Sequence, residues 1–217
     1  MRGRINDEAA MNKWTFGLGR RTLLGVLVFA LLLVVGIAGR LLPHPPNFTP
    51  VAAAALFAGF FFTRRAVAVF VPVAILAFSD LRLGTYHLGI MLIVYGAFLF
   101  PVALRPLLRP RVTALRVGAC AASGSVFFFL STNFAVWLFA PLYAHSPGGL
   151  WQCYVAAVPF FKFTVLGDLL WSGVFFGTYA VVTQALTGGA AGRKRLLGIR
   201  FELAEPGQPK PILVART

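Results

Sequence analysis

The feature that most constrains the fold is the placement of positive charge between long apolar segments. Seventeen of the twenty Lys and Arg residues lie in the two terminal segments or in alternate loops, and the exceptions are Arg40, Arg82 and Lys162. Cytoplasmic loops of membrane proteins are enriched in Lys and Arg, because this bias sets the orientation of the spans. The pattern predicts a multi-pass membrane protein with its N- and C-termini in the cytoplasm.

The composition agrees with this prediction. Hydrophobic residues make up 59% of the chain, charged residues only 12%, and the mean hydropathy is +0.80. The formal charge of +14 is divided among the tails and short loops. It does not form the continuous basic stripe that tracks nucleic-acid phosphates, so nucleic acid is not an expected partner. Anionic lipid headgroups are the expected partner of these juxtamembrane cations.

Six apolar segments predict an all-α bundle of six transmembrane helices. They span residues 18–38, 48–62, 66–78, 88–104, 117–142 and 154–186. The predicted organisation is a basic cytoplasmic tail over residues 1–17, one membrane domain over 18–186, and a second basic cytoplasmic tail over 187–217.

Three segments have unusual lengths. Segments 48–62 and 66–78 fall short of the roughly 20 residues that an upright span needs. They are either broken helices beside a polar cavity or ordinary helices with amphipathic ends. The last segment is too long for one upright helix. We expect residues 150–161 to lie at the outer interface and residues 163–186 to form the crossing.

Polar residues gather in the loops that are predicted to face outside. His44, His87 and His145 all lie there, and Asn47 and Asp80 join them. Imidazole, carboxylate and amide groups together can hold a polar ligand or a metal, although histidines at headgroup level would need no function. No two histidines have the i, i+4 spacing of a metal site on one helix, so no metal and no cofactor is expected.

One acid lies inside the last segment. A carboxylate within a span is costly, so Asp168 should face the bundle interior and have a partner. Lys162 and Asn133 are the candidate partners, and Trp171 lies beside Asp168 on the same helix. Two functions remain open for Asp168: a structural hydrogen bond between helices, or part of a ligand-binding or coupling site. Asn133 has the same two interpretations.

Small residues recur at helical spacing in the second segment. Ala54 and Ala58 are four residues apart, and Gly59 follows. Such spacing lets another helix approach closely. An internal contact is the favoured interpretation, and docking of a partner subunit is the alternative.

The sequence lacks the motifs of an enzyme. It has no phosphate-binding glycine loop and no hydrolase elbow, and Ser79 near Asp80 and His87 is the only grouping of a nucleophile with acid or base residues. The chain is therefore predicted not to be an enzyme.

Five stretches together resemble a group of small bacterial membrane proteins that is similar to the substrate-binding S components of energy-coupling factor (ECF) vitamin transporters, including their solitary cobalamin-transporting relatives. The stretches are residues 40–50, Ser79-Asp80, and residues 131–137, 149–154 and 159–168. The resemblance implies a six-helix bundle in the bacterial cytoplasmic (inner) membrane that captures a vitamin-sized molecule, such as cobalamin, from the outer side. Loops near His44 and His87 would cap the pocket.

The same resemblance implies a transmembrane coupling subunit with ATPases as a partner. Ala54 and Ala58 are the nearest match to the docking motif of such S components, although that motif lies in their first helix and this pair lies in the second segment. Taken together, the sequence predicts a membrane protein that binds or takes up a small molecule. The alternative is a membrane scaffold or assembly subunit without a transported substrate.

Overall fold

The computed structural model of the chain describes residues 2–187, with side chains from Thr22 to Leu186. Seven helices form in these residues: α1 Arg2–Leu41, α2 Val51–Phe61, α3 Arg65–Leu83, α4 Leu88–Ala103, α5 Arg105–Leu108, α6 Ala114–Phe139 and α7 Pro147–Thr187. No strand occurs within this range, so the predicted all-α class is confirmed. Residues 2–17, which were predicted to be a separate tail, are helical and form the first part of α1. The predicted C-terminal tail lies outside the described residues from 188 onward.

Five segments of the described chain are long and apolar enough to cross a bilayer. They are Thr22–Leu41, Arg65–Leu83, Leu88–Leu108, Ala114–Phe139 and Pro147–Leu186. The chain is therefore a membrane protein by this criterion, with one candidate span fewer than the six predicted. The difference is α2, whose 11 residues extend only about 16 Å at 1.5 Å per residue, roughly half of a hydrocarbon core.

Helix α2 forms the centre of the bundle. Every residue from Val51 to Phe60 is buried, and the helix packs against α1, α3, α4, α6 and α7. A helix that is apolar on all sides is stable only when neighbours surround it. Its aromatic residues continue the packing toward α7, where the Phe57 and Phe176 rings meet edge to face at 5.1 Å.

The small residues of α2 contact other parts of the same chain. Ala54 and Ala58 are fully buried. A Cβ atom added to Gly59 would lie 2.9 Å from the backbone oxygen of Val102 at the end of α4. These three residues allow neighbouring helices to approach, and they expose no surface to a partner subunit.

Two arginines hold the C-terminal end of α2. The Arg109 Nη2 atom donates to the Phe62 carbonyl at 2.8 Å, and the Arg105 Nη2 atom donates to the Thr63 carbonyl at 3.2 Å. Cations stabilise the C-terminus of a helix, where unpaired carbonyls concentrate partial negative charge. We call this end of the bundle, defined by Arg65, Arg105 and Arg109, the arginine end.

Helix α3 corrects the expectation of a short third span. It extends past residue 78 through Ser79 and Asp80 to Leu83, which gives 19 residues. Asp80 remains within the helix because its charge is paired with Arg40 of α1 at 3.0 Å. The interior Pro72 does not end the helix, as is common in membrane spans where neighbours satisfy the backbone. Of the two interpretations offered for this segment, the ordinary helix is the one observed.

Helix α7 corrects a second expectation. The predicted interfacial segment 150–161 and crossing 163–186 are one continuous helix of 41 residues, with Pro159 inside it. Its first half packs along α6, because Tyr154 donates its hydroxyl to the Leu130 carbonyl at 2.8 Å and the Cys153 thiol lies 3.4 Å from the Asn133 carbonyl. The first half of α7 therefore packs against α6 instead of forming the separate segment predicted for the membrane interface. The sequence does not reveal these contacts.

The Gly59 contact predicts that a Gly-to-Ala substitution has different effects on stability at two positions. Gly59→Ala should destabilise the bundle by about 1–3 kcal/mol, because its Cβ meets the α4 backbone, which cannot rotate away. Gly96→Ala, where no atom lies within 4 Å of the added Cβ, should be neutral or stabilising by up to about 1 kcal/mol through helix propensity. Thermal unfolding in detergent measures both. Equal effects of the two substitutions would contradict the packing of α2 against α4.

Candidate functional site

A cavity of about 260 Å³ lies at the opposite end of the bundle from the arginine end. Its polar lining residues are Arg40, His44, Asn47, Thr49, Tyr86, Thr164 and Asp168. These residues come from the end of α1, the loops 42–50 and 84–87, and the middle of α7. We call this end of the bundle, defined by Arg40, Asp80 and His87, the cavity end.

The loop 42–50 forms one wall of the cavity and reaches into the bundle. Asn47 adopts a left-handed backbone with φ of 61°, and the Phe48 amide donates to the Pro45 carbonyl at 3.0 Å. A Cβ atom on Gly167 would lie 3.1 Å from the Phe48 Cα atom. The loop therefore contacts α7 one residue before Asp168, about 30 Å along α7 from its start. This depth explains why α2, which follows the loop, is short.

Asp168 is the most deeply placed charged group on the cavity wall. Its side chain is 4% exposed. The Ser125 hydroxyl of α6 donates to its Oδ2 atom at 2.6 Å. Among the described residues, no hydrogen bond reaches the second carboxylate oxygen, Oδ1. Asp168 thus presents one satisfied and one free oxygen to the region of the cavity.

The prediction that Lys162 or Asn133 is the partner of Asp168 is wrong. Lys162 is exposed, with its Nζ atom 4.9 Å from the Phe163 ring centroid. The Asn133 amide donates to the Phe129 carbonyl of its own helix at 2.7 Å. Asn133 lies two turns of α6 away from Ser125, so its side chain is at a different level. Neither Lys162 nor Asn133 lines the cavity.

Trp171 also lies away from the cavity. It packs against the hydrophobic core, with its ring 6.1 Å from that of Phe175. Its buried Nε1 atom makes no hydrogen bond within the described part of the chain. The sequence placed Trp171 on the same helix as Asp168, but in the structure its indole packs against the core cluster and does not line the cavity.

An ion pair joins three helices beside the cavity. The Arg40 Nη2 atom lies 3.0 Å from Asp80 Oδ1, as a charge contact rather than an aligned hydrogen bond. Arg40 also donates through Nη1 to the Ser79 hydroxyl at 2.6 Å. The Tyr95 hydroxyl of α4 donates to Asp80 Oδ2 at 2.9 Å. Asp80 is therefore a structural partner of a cavity-lining residue and does not itself line the cavity.

The two candidate histidines have different surroundings. His44 lines the cavity, and its Nδ1 atom lies 2.7 Å from the Pro45 carbonyl oxygen. His87 lies outside the cavity and caps α4, since its Nδ1 atom accepts from the Gly89 amide at 3.2 Å. Its ring stacks on Phe139 at 5.2 Å. Among the side chains described from Thr22 to Leu186, no group of three or more His, Cys, Asp or Glu residues has the arrangement of a metal site.

The cavity wall combines a compensated positive charge with aromatic side chains. The guanidinium of Arg40 is compensated by Asp80. Burial raises the pKa of the Tyr86 phenol, the charge of Asp80 raises it further, and Arg40 lowers it, so that Tyr86 is a neutral hydroxyl on this wall. Phe98 and Phe128 also line the cavity, with ring centroids 4.8 Å apart. Such a wall suits a small molecule with polar and apolar parts.

The structure brings together His44, Asn47 and Asp168 among the predicted site residues, with Asp80 behind them. It does not bring His87, Asn133, Lys162 or Trp171 into the cavity. Sequence reasoning missed Ser125 and Tyr95, which resemble the other hydroxyl-bearing residues of the spans. The Arg40–Asp80 pair was not predicted either, because the two charges follow the first and third apolar segments, which are not consecutive in the sequence.

The ion pair predicts that a second substitution restores part of the stability that a first one removes. Asp80→Leu leaves Arg40 without its counter-charge and should destabilise the bundle by up to about 3 kcal/mol. Adding Arg40→Met removes the stranded charge, so the double variant should be more stable than the single one. Unfolding of both variants in the same detergent measures the difference. A double variant less stable than Asp80→Leu would contradict the pairing.

Comparison with curated proteins and with solved structures finds no match. A family model does match, over residues 21–192. This range covers well over half of the chain and contains every residue that lines the cavity. The chain therefore belongs to the family of unknown function DUF6580.

Proposed function

We propose that the chain binds a small polar molecule in the cavity and takes it up across the membrane. The observation that carries this proposal is Asp168, a buried carboxylate on the cavity wall with one oxygen that accepts no hydrogen bond from the described residues. Ionisable residues in membrane spans are rare and usually mark a ligand or ion pathway.

A comparison of free energies favours a ligand-binding role for Asp168 over a purely structural contact between helices. An Asp at the centre of a span costs about 2.5–3.5 kcal/mol on insertion scales. An interhelical hydrogen bond such as that from Ser125 stabilises a membrane protein by about 0.6 kcal/mol on average and by up to about 1.7 kcal/mol. The contact with Ser125 therefore does not offset the cost, and a bound ligand is a natural source of the remainder.

The size of the cavity limits the cargo. Sites for drug-sized ligands have volumes of about 300–1,000 Å³, and this cavity is slightly smaller, at about 260 Å³. The resemblance to S components of ECF vitamin transporters supports uptake from the outer side. The volume favours a cargo much smaller than a macrocycle such as cobalamin.

The proposed orientation places the cavity end outside and the arginine end in the cytoplasm of a bacterium, with the protein in the cytoplasmic (inner) membrane. The support is the charge bias, since cytoplasmic loops carry most Lys and Arg residues. Anionic lipid headgroups then face the arginine end. A coupling subunit with ATPases remains a proposed partner, and it would need a docking surface other than the buried Ala54 and Ala58.

The proposed role is not enzymatic. The Ser79 hydroxyl is engaged with the Ile75 and Leu76 carbonyls, at 2.6 and 3.0 Å, and it accepts from Arg40. His87, the base that the sequence offered, is occupied as the cap of α4. A nucleophile needs a base within hydrogen-bond reach, and this group provides none.

A membrane scaffold without cargo is the second candidate. Two observations favour it: the Arg40–Asp80 pair joins α1 to α3, and the Ser125–Asp168 bond joins α6 to α7. A scaffold would use both contacts, but it would not need a cavity. Filling the cavity therefore distinguishes the two candidates.

Val94→Phe should abolish ligand binding, because Val94 lines the cavity and the larger ring fills it. Val126→Phe is the matched control, since Val126 is 46% exposed on the outside of α6. The measurement is a thermal-shift screen of a small-molecule library against both variants and the wild type in nanodiscs. A ligand at a hundredfold excess over its dissociation constant stabilises the folded state by about 2.7 kcal/mol. No stabilising compound for the wild type, or equal shifts in Val94→Phe, would support the scaffold.

The orientation predicts opposite labelling of two loops. In a chain with Cys120→Ala and Cys153→Ala, His44→Cys should react with a membrane-impermeant thiol reagent on intact cells. Arg111→Cys, in the exposed loop that follows α5, should react only after permeabilisation. The cysteine-free chain is the control. Labelling of both positions from the same side would contradict the bundle topology, and a reversed pattern would invert the orientation.

A further inference from the structure

We infer that the cavity selects an organic ammonium ion, whose charged nitrogen binds Asp168. This inference deepens the proposed function and rests on it. It names the chemical class of the ligand from the charges, the free acceptors and the aromatic faces of the cavity wall.

The charge balance of the wall leaves one carboxylate without a counter-ion. Arg40 is paired with Asp80 at 3.0 Å, so its charge is compensated. No cation of the described residues forms an ion pair with Asp168, and Lys162 lies over Phe163 instead. The remaining titratable groups that line the cavity are His44 and the Tyr86 phenol. A carboxylate removed from water gains most from a ligand that brings the missing positive charge.

Two acceptors on one face of α7 are free to receive hydrogen bonds. Asp168 Oδ1 accepts no bond from the described residues, because Ser125 binds only Oδ2. Thr164, one helical turn earlier, also lines the cavity and is 5% exposed, and its hydroxyl makes no hydrogen bond within the described chain. An ammonium group carries only donors. It can therefore satisfy both acceptors at once, which a carboxylate ligand cannot.

Aromatic rings complete a site for a cation. Phe98 of α4 and Phe128 of α6 line the cavity with their ring centroids 4.8 Å apart, and Tyr86 lies on the same wall. The carboxylate favours a positively charged ligand, and the rings provide apolar surface for its carbon skeleton.

Ligands that share an apolar group and differ in the charge of the polar group test this inference. Isobutylamine, isobutanol and isovalerate share the isobutyl group, and benzylamine, benzyl alcohol and phenylacetate share the benzyl group. Binding is measured by equilibrium dialysis with protein in nanodiscs, and empty nanodiscs correct for partition into lipid. We expect the amines to bind, and the alcohols and carboxylates to bind at least tenfold more weakly.

Variants locate the binding group. Asp168→Asn keeps the size of the side chain and an oxygen for Ser125, so the bundle should remain folded, which thermal unfolding checks. It should weaken amine binding about ten- to hundredfold, as expected when a hydrogen bond to a charged group is lost. Thr164→Val should weaken it less, and Val126→Phe should have no effect. Thr164→Val also serves if Asp168→Asn fails to fold.

The outcomes separate this inference from the proposed function. Amine binding that is unchanged in Asp168→Asn overturns the inference, and so does binding of the alcohols or carboxylates as tight as that of the amines. Failure of both amines to bind overturns it as well. The proposed function survives any of these results if a neutral or anionic compound from the library binds the wild type and Val94→Phe abolishes that binding.

Discussion

The bundle depends on the compensation of charge inside apolar surroundings. Arg40 and Asp80 are each within or beside a span, and each would be costly alone. Their pairing lets α3 continue for 19 residues and fixes the end of α1 against it. Tyr95 extends the contact to α4. The first three spans are thereby joined at the cavity end, beside the part of the cavity wall that Arg40 forms.

The short central helix and the cavity have a common cause. The loop 42–50 reaches as far as Gly167 of α7, so α2 begins inside the bundle and has only 11 residues. The volume that a full-length α2 would fill is shared between this loop and the cavity. The two arginines at the opposite end hold α2 at this depth through the Phe62 and Thr63 carbonyls. The short apolar segment that the sequence shows is therefore the feature that leaves room for the cavity.

The apolar segments and the charge pattern of the sequence were sufficient to predict the helices, the grouping of polar residues at one end and the burial of Asp168. They failed where the outcome depends on a contact between distant residues. Helix α3 continues beyond residue 78 because of Arg40, and α7 is unbroken because α6 runs along it. The partner of Asp168 is Ser125, and nothing in the sequence distinguishes Ser125 from the other serines of the spans. Such pairings require the register of the packed helices.

The choice between a carrier and a scaffold turns on why α7 carries a carboxylate. A scaffold needs only a hydrogen bond between α6 and α7, and an asparagine at position 168 would accept the same bond from Ser125 without a charge to bury. The carboxylate adds a cost of insertion that this bond does not offset. Asp168, with its free oxygen, and Thr164, with its unbonded hydroxyl, both line the same cavity. That arrangement favours a donor-rich cation as the occupant of the cavity over an empty cavity.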